Sequence, residues 1–369
     1  MLDLAARCAV RGAGLVEPNP LVGAVVVRNG VVIGVGHHRR FGGLHAEREA
    51  LESCRRQGQD VAGATMYCTL EPCCREGKQP ACTEAIVRAG IARVVFARSD
   101  PHPKGRGGAD VLRAQGVEVE LTGVSHAATR VSDPFVKRMT KGLPWVIAKW
   151  AQTIDGRIAT RTGESQWISG AASRRRVHRL RGRVDAILTG IGTVLGDDPR
   201  LTARGVRVRR VARRVVVDAH LDLPAGSALV RSARVTPTTV ACDKGMAVAH
   251  IALDKREVLE QAGVEVMGVP TRGQDRIDLE MMLRALVEHH NVTNVLVEAG
   301  SGLMGSLLAA DLVDELRVYV APLLLGDEQA RAAFGGRVVQ TLGDGRRFSL
   351  VRQKRIEQDV ELAYRRVRE

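Results

Sequence analysis

Aromatic side chains are scarce: three Trp, three Tyr and five Phe, or 3% of 369 residues. Proteins that grip single-stranded nucleic acid stack bases on aromatic platforms, so this scarcity argues against a nucleic-acid partner. No apolar run approaches the roughly 20 residues that a membrane-spanning helix needs, and no membrane partner is expected. The first residues, Met1-Leu2-Asp3-Leu4, lack a basic segment followed by an apolar stretch. No secretory signal is therefore expected, and the reading is cytoplasmic. Nor does any long segment lack hydrophobic residues, which make up 45% of the chain against 26% charged. That excludes a disordered chain. Cysteine is present, but not as a disulfide framework, because seven is an odd number and the spacing is irregular. Cys68, Cys73, Cys74 and Cys82 crowd together, while Cys8, Cys54 and Cys242 are scattered. A cluster of this kind in a reducing compartment points to metal binding or catalysis. The scattered three read as buried small hydrophobes.

At 39.9 kDa the chain is long enough for two domains. Its net charge of +14 speaks for anionic partners such as phosphorylated metabolites or a dinucleotide. In the first part, Asn29-Gly30 between apolar runs predicts a hairpin of residues 22–27 and 31–35. Helices are expected over 45–56, 82–89 and 110–115, and strands over 65–70, 93–97 and 117–121. This alternation makes an α/β sandwich. The Lys/Arg-bearing stretch 134–141, with Gly142 and Pro144, reads as a seam between residues 1–142 and 143–369. Beyond it, strands are expected at 145–151, 186–189, 214–218, 295–298, 315–321 and 360–366. The arginines of 174–176 and 209–214 read as a solvated basic face.

The chemistry gathers around His45-Ala46-Glu47, Glu71-Pro72-Cys73 and Cys82. Zinc takes His nitrogen and Cys sulfur, and a catalytic site keeps three protein ligands with a fourth position for water. His45, Cys73 and Cys82 supply that set. Glu47, two residues past the first ligand, is placed to move protons without binding the metal. H-x-E followed by Pro-Cys and a second Cys is the signature of zinc deaminases. A structural zinc knuckle is the simpler reading, but it would more often use four protein ligands. Cys74 reads as a bystander, because adjacent cysteines rarely reach one tetrahedral ion together. Cys68 reads as a strand residue facing the core.

Nucleic-acid and nucleoside deaminases usually place two residues between the cysteines, whereas eight separate Cys73 from Cys82 here. That longer loop follows Pro18-Asn19-Pro20-Leu21-Val22-Gly23-Ala24-Val25, Gly36-His37-His38 and Gly43-Leu44-His45-Ala46-Glu47. It is accompanied by Thr69-Leu70-Glu71-Pro72-Cys73 and Asp100-Pro101-His102-Pro103. Together these resemble the deaminase half of the bifunctional riboflavin-biosynthesis deaminase/reductases. The second part resembles their reductase half. It carries Lys149-Trp150-Ala151-Gln152-Thr153-Ile154-Asp155-Gly156-Arg157, Gly163-Glu164-Ser165-Gln166-Trp167-Ile168-Ser169, Thr193-Val194-Leu195-Gly196-Asp197-Asp198-Pro199-Arg200-Leu201-Thr202 and Val297-Glu298-Ala299-Gly300.

The resemblance implies an α/β fold in each half: a cytidine-deaminase-like α/β/α sandwich, then a dihydrofolate-reductase-like α/β domain. It implies zinc in the first, and NADPH against Ala151, Trp167, Thr193, Asp197 and the turn Gly300, Ser301, Gly302, Leu303, Met304, Gly305 and Ser306 in the second. Glycines at a strand–helix turn let backbone N–H groups approach a phosphate. By themselves they are weak evidence, and their spacing matches a fingerprint of a different fold. Substrate contacts are implied for Asn19, Ser165, Arg181, Leu201, Arg204 and Glu298. Glu71 would contact the ring or support the zinc loop. Catalytic roles fall to Glu47, Lys149 and Asp197, with Asp197 positioning Lys149. Small phosphorylated pyrimidines are the implied partners, and a homo-oligomer is expected.

Two stretches depart from the family pattern. Cys74-Arg75-Glu76 replaces the usual triplet after the first zinc cysteine. The loop Lys104-Gly105-Arg106-Gly107-Gly108 is shortened, with Lys104 or Arg106 left to serve a phosphate. One rival is a tRNA deaminase with a basic binding domain. It leaves the cysteine spacing and the second half's motifs unexplained, and RNA-dependent activity would be its mark. Another is a degenerate scaffold that keeps the fold and loses an activity; metal content and turnover separate it from the enzyme.

Overall fold

A computed structural model describes residues 1–77, 79–103, 105–248, 253–273, 276–336 and 339–368. The chain splits into two compact units, Met1–Leu143 and Pro144–Glu369.

The first unit runs α1 (Leu2–Ala9), β1 (Gly23–Arg28), β2 (Val31–His37), α2 (Ala46–Arg56), β3 (Thr65–Cys68), α3 (Cys82–Arg88), β4 (Arg93–Phe96), α4 (Gly108–Ala114), β5 (Glu118–Leu121), α5 (His126–Arg130) and α6 (Asp133–Lys141). Asn29 and Gly30 both take positive φ, 50° and 77°. The β1–β2 hairpin therefore closes at the residues that tolerate this turn. The sheet order is β2-β1-β3-β4-β5, antiparallel across β2, β1 and β3 and parallel from β3 to β5. One face packs Ala24, Val26, Met66, Val94 and Phe96 against Ala46, Ala50 and Cys54 of α2, Ile86 of α3 and Leu112 of α4. The other packs Val25 and Val27 against Ala5, and Val95 and Ala97 against Leu2, Ala6 and Ala128. These are the three layers of an α/β/α sandwich. A Cβ on Gly36 would lie 2.3 Å from the Ala46 carbonyl, so only glycine lets the start of α2 lie this close to the sheet. The stretch expected as a seam is α6. Asp133 in its first turn, Pro134 behind it and Gly142 in the left-handed conformation at its end give it an ordinary start and stop.

The second unit runs β6 (Trp145–Gln152), β7 (Arg157–Ala159), α7 (Ala171–Arg181), β8 (Ala186–Gly190), α8 (Ile191–Asp197), β9 (Arg213–Val217), α9 (Ala228–Arg231), β10 (Thr238–Asp243), α10 (Leu253–Gln261), β11 (Val264–Val269), α11 (Leu279–His290), β12 (Asn294–Val297), α12 (Ser301–Ala309), β13 (Glu315–Val320), β14 (Arg331–Ala332), β15 (Phe348–Ile356) and β16 (Asp359–Arg366). A nine-stranded sheet is ordered β11-β10-β9-β8-β12-β6-β13-β16-β15. It is parallel from β11 to β13, and β16 and β15 are antiparallel. Central strands such as Ala186-Ile187-Leu188 and Val295-Leu296-Val297 are buried throughout, as parallel strands covered on both faces must be.

The arginine-rich stretches are not a solvated face. Arg214 is fully buried. Its guanidinium donates to the carbonyls of Leu229 at 3.0 Å and Thr236 at 2.9 Å and to the hydroxyls of Ser232 at 2.8 Å and Thr238 at 3.0 Å. Burial with no carboxylate among these partners lowers its pKa to about 10. Arg176 pairs with buried Glu361 at 2.7 Å, Arg213 with Glu265 at 2.6 Å, and Arg210 with Asp185. Only a fork of several donors satisfies so many acceptors at once.

Candidate active sites

His45 caps the N-terminus of α2, Cys73 lies in the loop after β3, and Cys82 opens α3. Two helix ends and one strand end thus bring the three residues together. The His45 Nδ1 lies 3.5 Å from Cys73 Sγ and 3.4 Å from Cys82 Sγ. All three donor atoms lie within 4.8 Å of one another. Zn–N and Zn–S bonds at the tetrahedral angle put N and S roughly 3.6 Å apart, so the set fits zinc in both chemistry and spacing. The Cys82 contact pulls the Cys73 thiol well below its ordinary value, and the backbone N–H of Cys82 also reaches Cys73 Sγ at 3.4 Å. The same contact, with burial, pushes Cys82 up. Cys74 points elsewhere, donating to the Arg106 carbonyl at 3.3 Å, and Cys68 is buried.

Glu47 is 3% exposed. Burial first, then the charge on Cys73, pushes its carboxyl up to about 7. Asn19 Nδ2 lies 3.2 Å from His38 Nε2, and His38 Nδ1 lies 2.9 Å from the Leu44 carbonyl. A carbonyl only accepts, so Nδ1 carries the proton. Burial lowers the His38 pKa and keeps the ring neutral, so Nε2 accepts from Asn19. The Asn19 amide is thereby oriented, with its Oδ1 left as an acceptor. Sequence reasoning passed over His38, although its place in Gly36-His37-His38 was visible. Glu71 accepts from the backbone N–H groups of Asp100 at 3.1 Å and of Gly107 and Ala109, both at 3.0 Å. It supports the loop after β4. Lys104 lies outside the described residues.

In the second unit a cavity of about 1740 Å³ opens at the carboxyl ends of β6, β8, β9 and β12, where parallel α/β sheets take their ligands. Pockets for one drug-sized ligand run to roughly 1,000 Å³, so there is room for a dinucleotide beside a substrate. Lys149, Ala151, Ser165, Trp167, Arg181, Thr193, Asp197, Leu201, Arg204 and Glu298 all line it, as do Gly300, Ser301, Gly302, Leu303 and Ser306. Met304 and Gly305 do not. Met304 is buried on the other face of α12, and a Cβ on Gly305 would lie 1.7 Å from the Gly335 carbonyl. The helical period turns these two residues away from the cavity. Gly300 N–H donates to Thr193 Oγ1 at 3.3 Å, joining the N-terminus of α12 to α8. The positive end of α12 suits a diphosphate.

Arg181 forks onto Glu298, with Nε at 2.6 Å and Nη2 at 2.9 Å, and Lys149 Nζ reaches the same carboxylate at 3.1 Å. Burial alone would raise Glu298; the two cations outweigh it and hold the carboxyl well below the usual range. Lys149 is thus held by Glu298 and not by Asp197, which is exposed at the end of α8. Arg204 donates to the Thr202 hydroxyl at 2.9 Å and forms no ion pair with a carboxylate among the described residues. Three cations therefore face one anion here. Two of the lining residues that escaped the sequence reading have side-chain contacts of their own. His178, one turn before Arg181 on α7, contacts the Thr202 carbonyl at 3.1 Å. Arg174 lies 4.6 Å over the ring of Trp167 and donates to the Ser169 carbonyl. Their spacing from Arg181 on one helix was the available signal.

Residues 1–98 match the cytidine and deoxycytidylate deaminase zinc-binding region, and residues 144–362 match the RibD C-terminal domain. The riboflavin biosynthesis protein RibD of Escherichia coli is 37% identical over 96% of this chain and 96% of its own length. That of Actinobacillus pleuropneumoniae is 36% identical over 96% and 92%. Among solved structures, Acinetobacter baumannii RibD superposes with a TM-score of 0.81 at 33% identity, covering 100% of this chain and 98% of its own. A Thermotoga maritima diaminohydroxyphosphoribosylaminopyrimidine deaminase/5-amino-6-(5-phosphoribosylamino)uracil reductase does so at 0.81 and 32%, covering 99% and 97%. With both domains matched in order and nearly the full length covered, the chain belongs to the RibD family, the bifunctional zinc deaminase/reductases of riboflavin biosynthesis.

Proposed function

We infer that the two units carry successive reactions on one phosphorylated pyrimidine. The first unit releases the 2-amino group of 2,5-diamino-6-ribosylamino-4(3H)-pyrimidinone 5′-phosphate as ammonia. The second reduces the ribosyl group of 5-amino-6-(5-phosphoribosylamino)uracil to ribityl with NADPH. The observation that carries the reading is a three-ligand set with a buried carboxyl two residues beyond it.

His45, Cys73 and Cys82 would hold zinc, which would supply Lewis acidity and make a water acidic near neutrality. Glu47, poised near pH 7 by burial, would take a proton from the attacking water as its oxygen bonds to carbon 2. It would return the proton to nitrogen as the C–N bond at carbon 2 breaks and ammonia leaves. Asn19, fixed by His38, accepts a hydrogen bond from the ring's polar edge through Oδ1.

In the second unit NADPH, when bound, would supply a hydride to carbon 1′ of the opened sugar. Thr193, Gly300, Ser301, Gly302, Leu303 and Ser306 would hold its diphosphate side, and Ala151, Trp167 and Asp197 would line the rest of its site. Arg204 is open to the 5′-phosphate, while Arg181 is spent on fixing Glu298. Ser165 and Leu201 complete the substrate's wall. Lys149, its ammonium held by Glu298, gives the proton that balances hydride addition.

Seven free thiols suit the reducing cytoplasm. No helix among the described residues is long and apolar enough to cross a membrane. We place the enzyme there as a homo-oligomer, which sedimentation checks. The order of steps is tested by feeding the diamino substrate. Ammonia should appear without NADPH, and NADPH oxidation should follow only after it. Oxidation ahead of ammonia release would overturn the sequence of reactions.

A further inference from the structure

His45, Cys73 and Cys82 come from three segments, and the sides of the triangle they make are held differently. Cys73 and Cys82 are joined through the backbone: the Cys82 N–H reaches Cys73 Sγ at 3.4 Å, and the Thr83 N–H donates to the Cys73 carbonyl at 3.2 Å. No backbone hydrogen bond joins His45 to either cysteine among the described residues. Two side chains span that side instead. Arg48, three residues beyond His45 on α2, donates from Nη2 to the Ala81 carbonyl at 3.1 Å. Ala81 is buried and immediately precedes Cys82. Gln79 Nε2 donates to the Gly42 carbonyl at 3.0 Å, and each of these two residues stands three positions before a ligand.

The length of the loop gives these ties their work. The chance of closing a flexible loop falls as about the three-halves power of its length. Eight residues between Cys73 and Cys82, in place of two, therefore leave the second sulfur roughly eightfold less well placed. One hydrogen bond from a charged donor is worth about tenfold or more, enough to restore it. Arg48 is also kept at a cost. Its Nε is buried without a partner, and its guanidinium pairs with no carboxylate among the described residues. An apolar side chain would fill the same space between α2 and α3 and leave no buried N–H unsatisfied. We propose that Arg48 and Gln79 clasp the loop between the cysteines onto the segment that carries His45, and that Arg48 thereby sets Cys82 in place as a metal ligand. Both are positioning residues. The proposal rests on the zinc deaminase reading above and adds to it the residues that hold the ligand set together.

Metal binding by the full-length chain tests the clasp without turnover. Zinc affinity is measured by competition with a chromophoric chelator in the wild type, Arg48→Met, Arg48→Lys and Gln79→Ala. Arg48→Met keeps the apolar stem and removes the donor, so it should bind zinc about tenfold or more weakly. Arg48→Lys keeps a donor and should recover most of that loss. Gln79→Ala changes no charge and keeps the test in hand if Arg48→Met does not fold; it should weaken zinc binding about three- to fivefold, the worth of a neutral hydrogen bond. Cobalt in place of zinc locates the loss. Thiolate-to-cobalt charge-transfer absorption reports the sulfurs on the metal, and per bound cobalt it should fall in Arg48→Met. Wild-type zinc affinity in Arg48→Met, or in Gln79→Ala, would overturn the proposal. Equal losses in Arg48→Met and Arg48→Lys would also overturn it, by assigning the effect to packing. So would a weaker site with an undiminished sulfur signal, which places the loss away from Cys82. If the wild type binds no zinc, the deaminase reading itself fails; if every variant binds zinc as the wild type does, the clasp alone fails.

Discussion

Two glutamates, one in each unit, are almost equally buried and titrate in opposite directions. Glu47 is 3% exposed and is pushed up to about 7; the Glu298 side chain is 9% exposed and is held well below the usual carboxylate range. Burial alone raises both. The difference lies in what faces them. Glu47 lies beside a sulfur that carries negative charge, and Glu298 lies between Arg181 and Lys149. A carboxyl near neutrality can carry a proton in both directions, while one kept ionised is a fixed anchor for cations. The same amino acid is a proton carrier in one unit and a scaffold in the other, and the neighbours decide which.

The comparison is broken most severely at Glu47. Glu47→Gln should cut ammonia release by roughly 10²–10⁴-fold, the usual worth of a general acid/base, with zinc retained. Reduction of the separately supplied deaminated intermediate should stay normal in the same preparation. Next in size is Arg181→Ala. It leaves Glu298 buried with Lys149 alone, and breaking a buried pair costs about 3–5 kcal/mol. Thermal unfolding should show the loss in the second unit, with ammonia release spared. Glu298→Gln sharpens the contrast through pH. Because the folded pKa of Glu298 is depressed, its contribution is whole above an unfolded value of about 4.3 and is lost as pH falls below it. Wild-type unfolding temperature should therefore drop more steeply below roughly pH 5 than that of the variant; parallel curves would contradict the account. The smallest effect is expected for Arg174→Ala, which removes a cation from the Trp167 face. A rise in the KM for NADPH of about three- to tenfold, with kcat nearly kept, corresponds to the roughly 1 kcal/mol of such a contact.

Much of this was legible before any coordinates. Asn29-Gly30 announced its hairpin, and the apolar runs at Ala186-Ile187-Leu188 and Val295-Leu296-Val297 announced buried strands. The spacing of His45, Glu47, Cys73 and Cys82 announced a zinc deaminase, and the resemblance to a known family supplied the second site. What stayed hidden is of two kinds, local signals masked by composition and contacts between residues distant in sequence. Residues 134–141 read as a seam because their basic residues masked a capped helix, α6. β15, Phe-Ser-Leu-Val-Arg-Gln-Lys-Arg-Ile, was missed because an edge strand open to solvent needs no apolar alternation. The buried role of Arg214 rests on Leu229, Ser232, Thr236 and Thr238, none of which its own segment reveals. The partner of Lys149 lies one residue past the end of β12, the neighbour of β6 in the sheet. Sheet order brings Glu298 to Lys149, and no local pattern encodes sheet order.

The central claim is that His45, Cys73 and Cys82 form a catalytic metal site served by Glu47. Zinc content and ammonia release, measured together on the wild type and Cys82→Ala, test it most directly. About one zinc per chain in the wild type, lost in the variant along with ammonia release, is the predicted result. Ammonia release that survives the loss of zinc would contradict it.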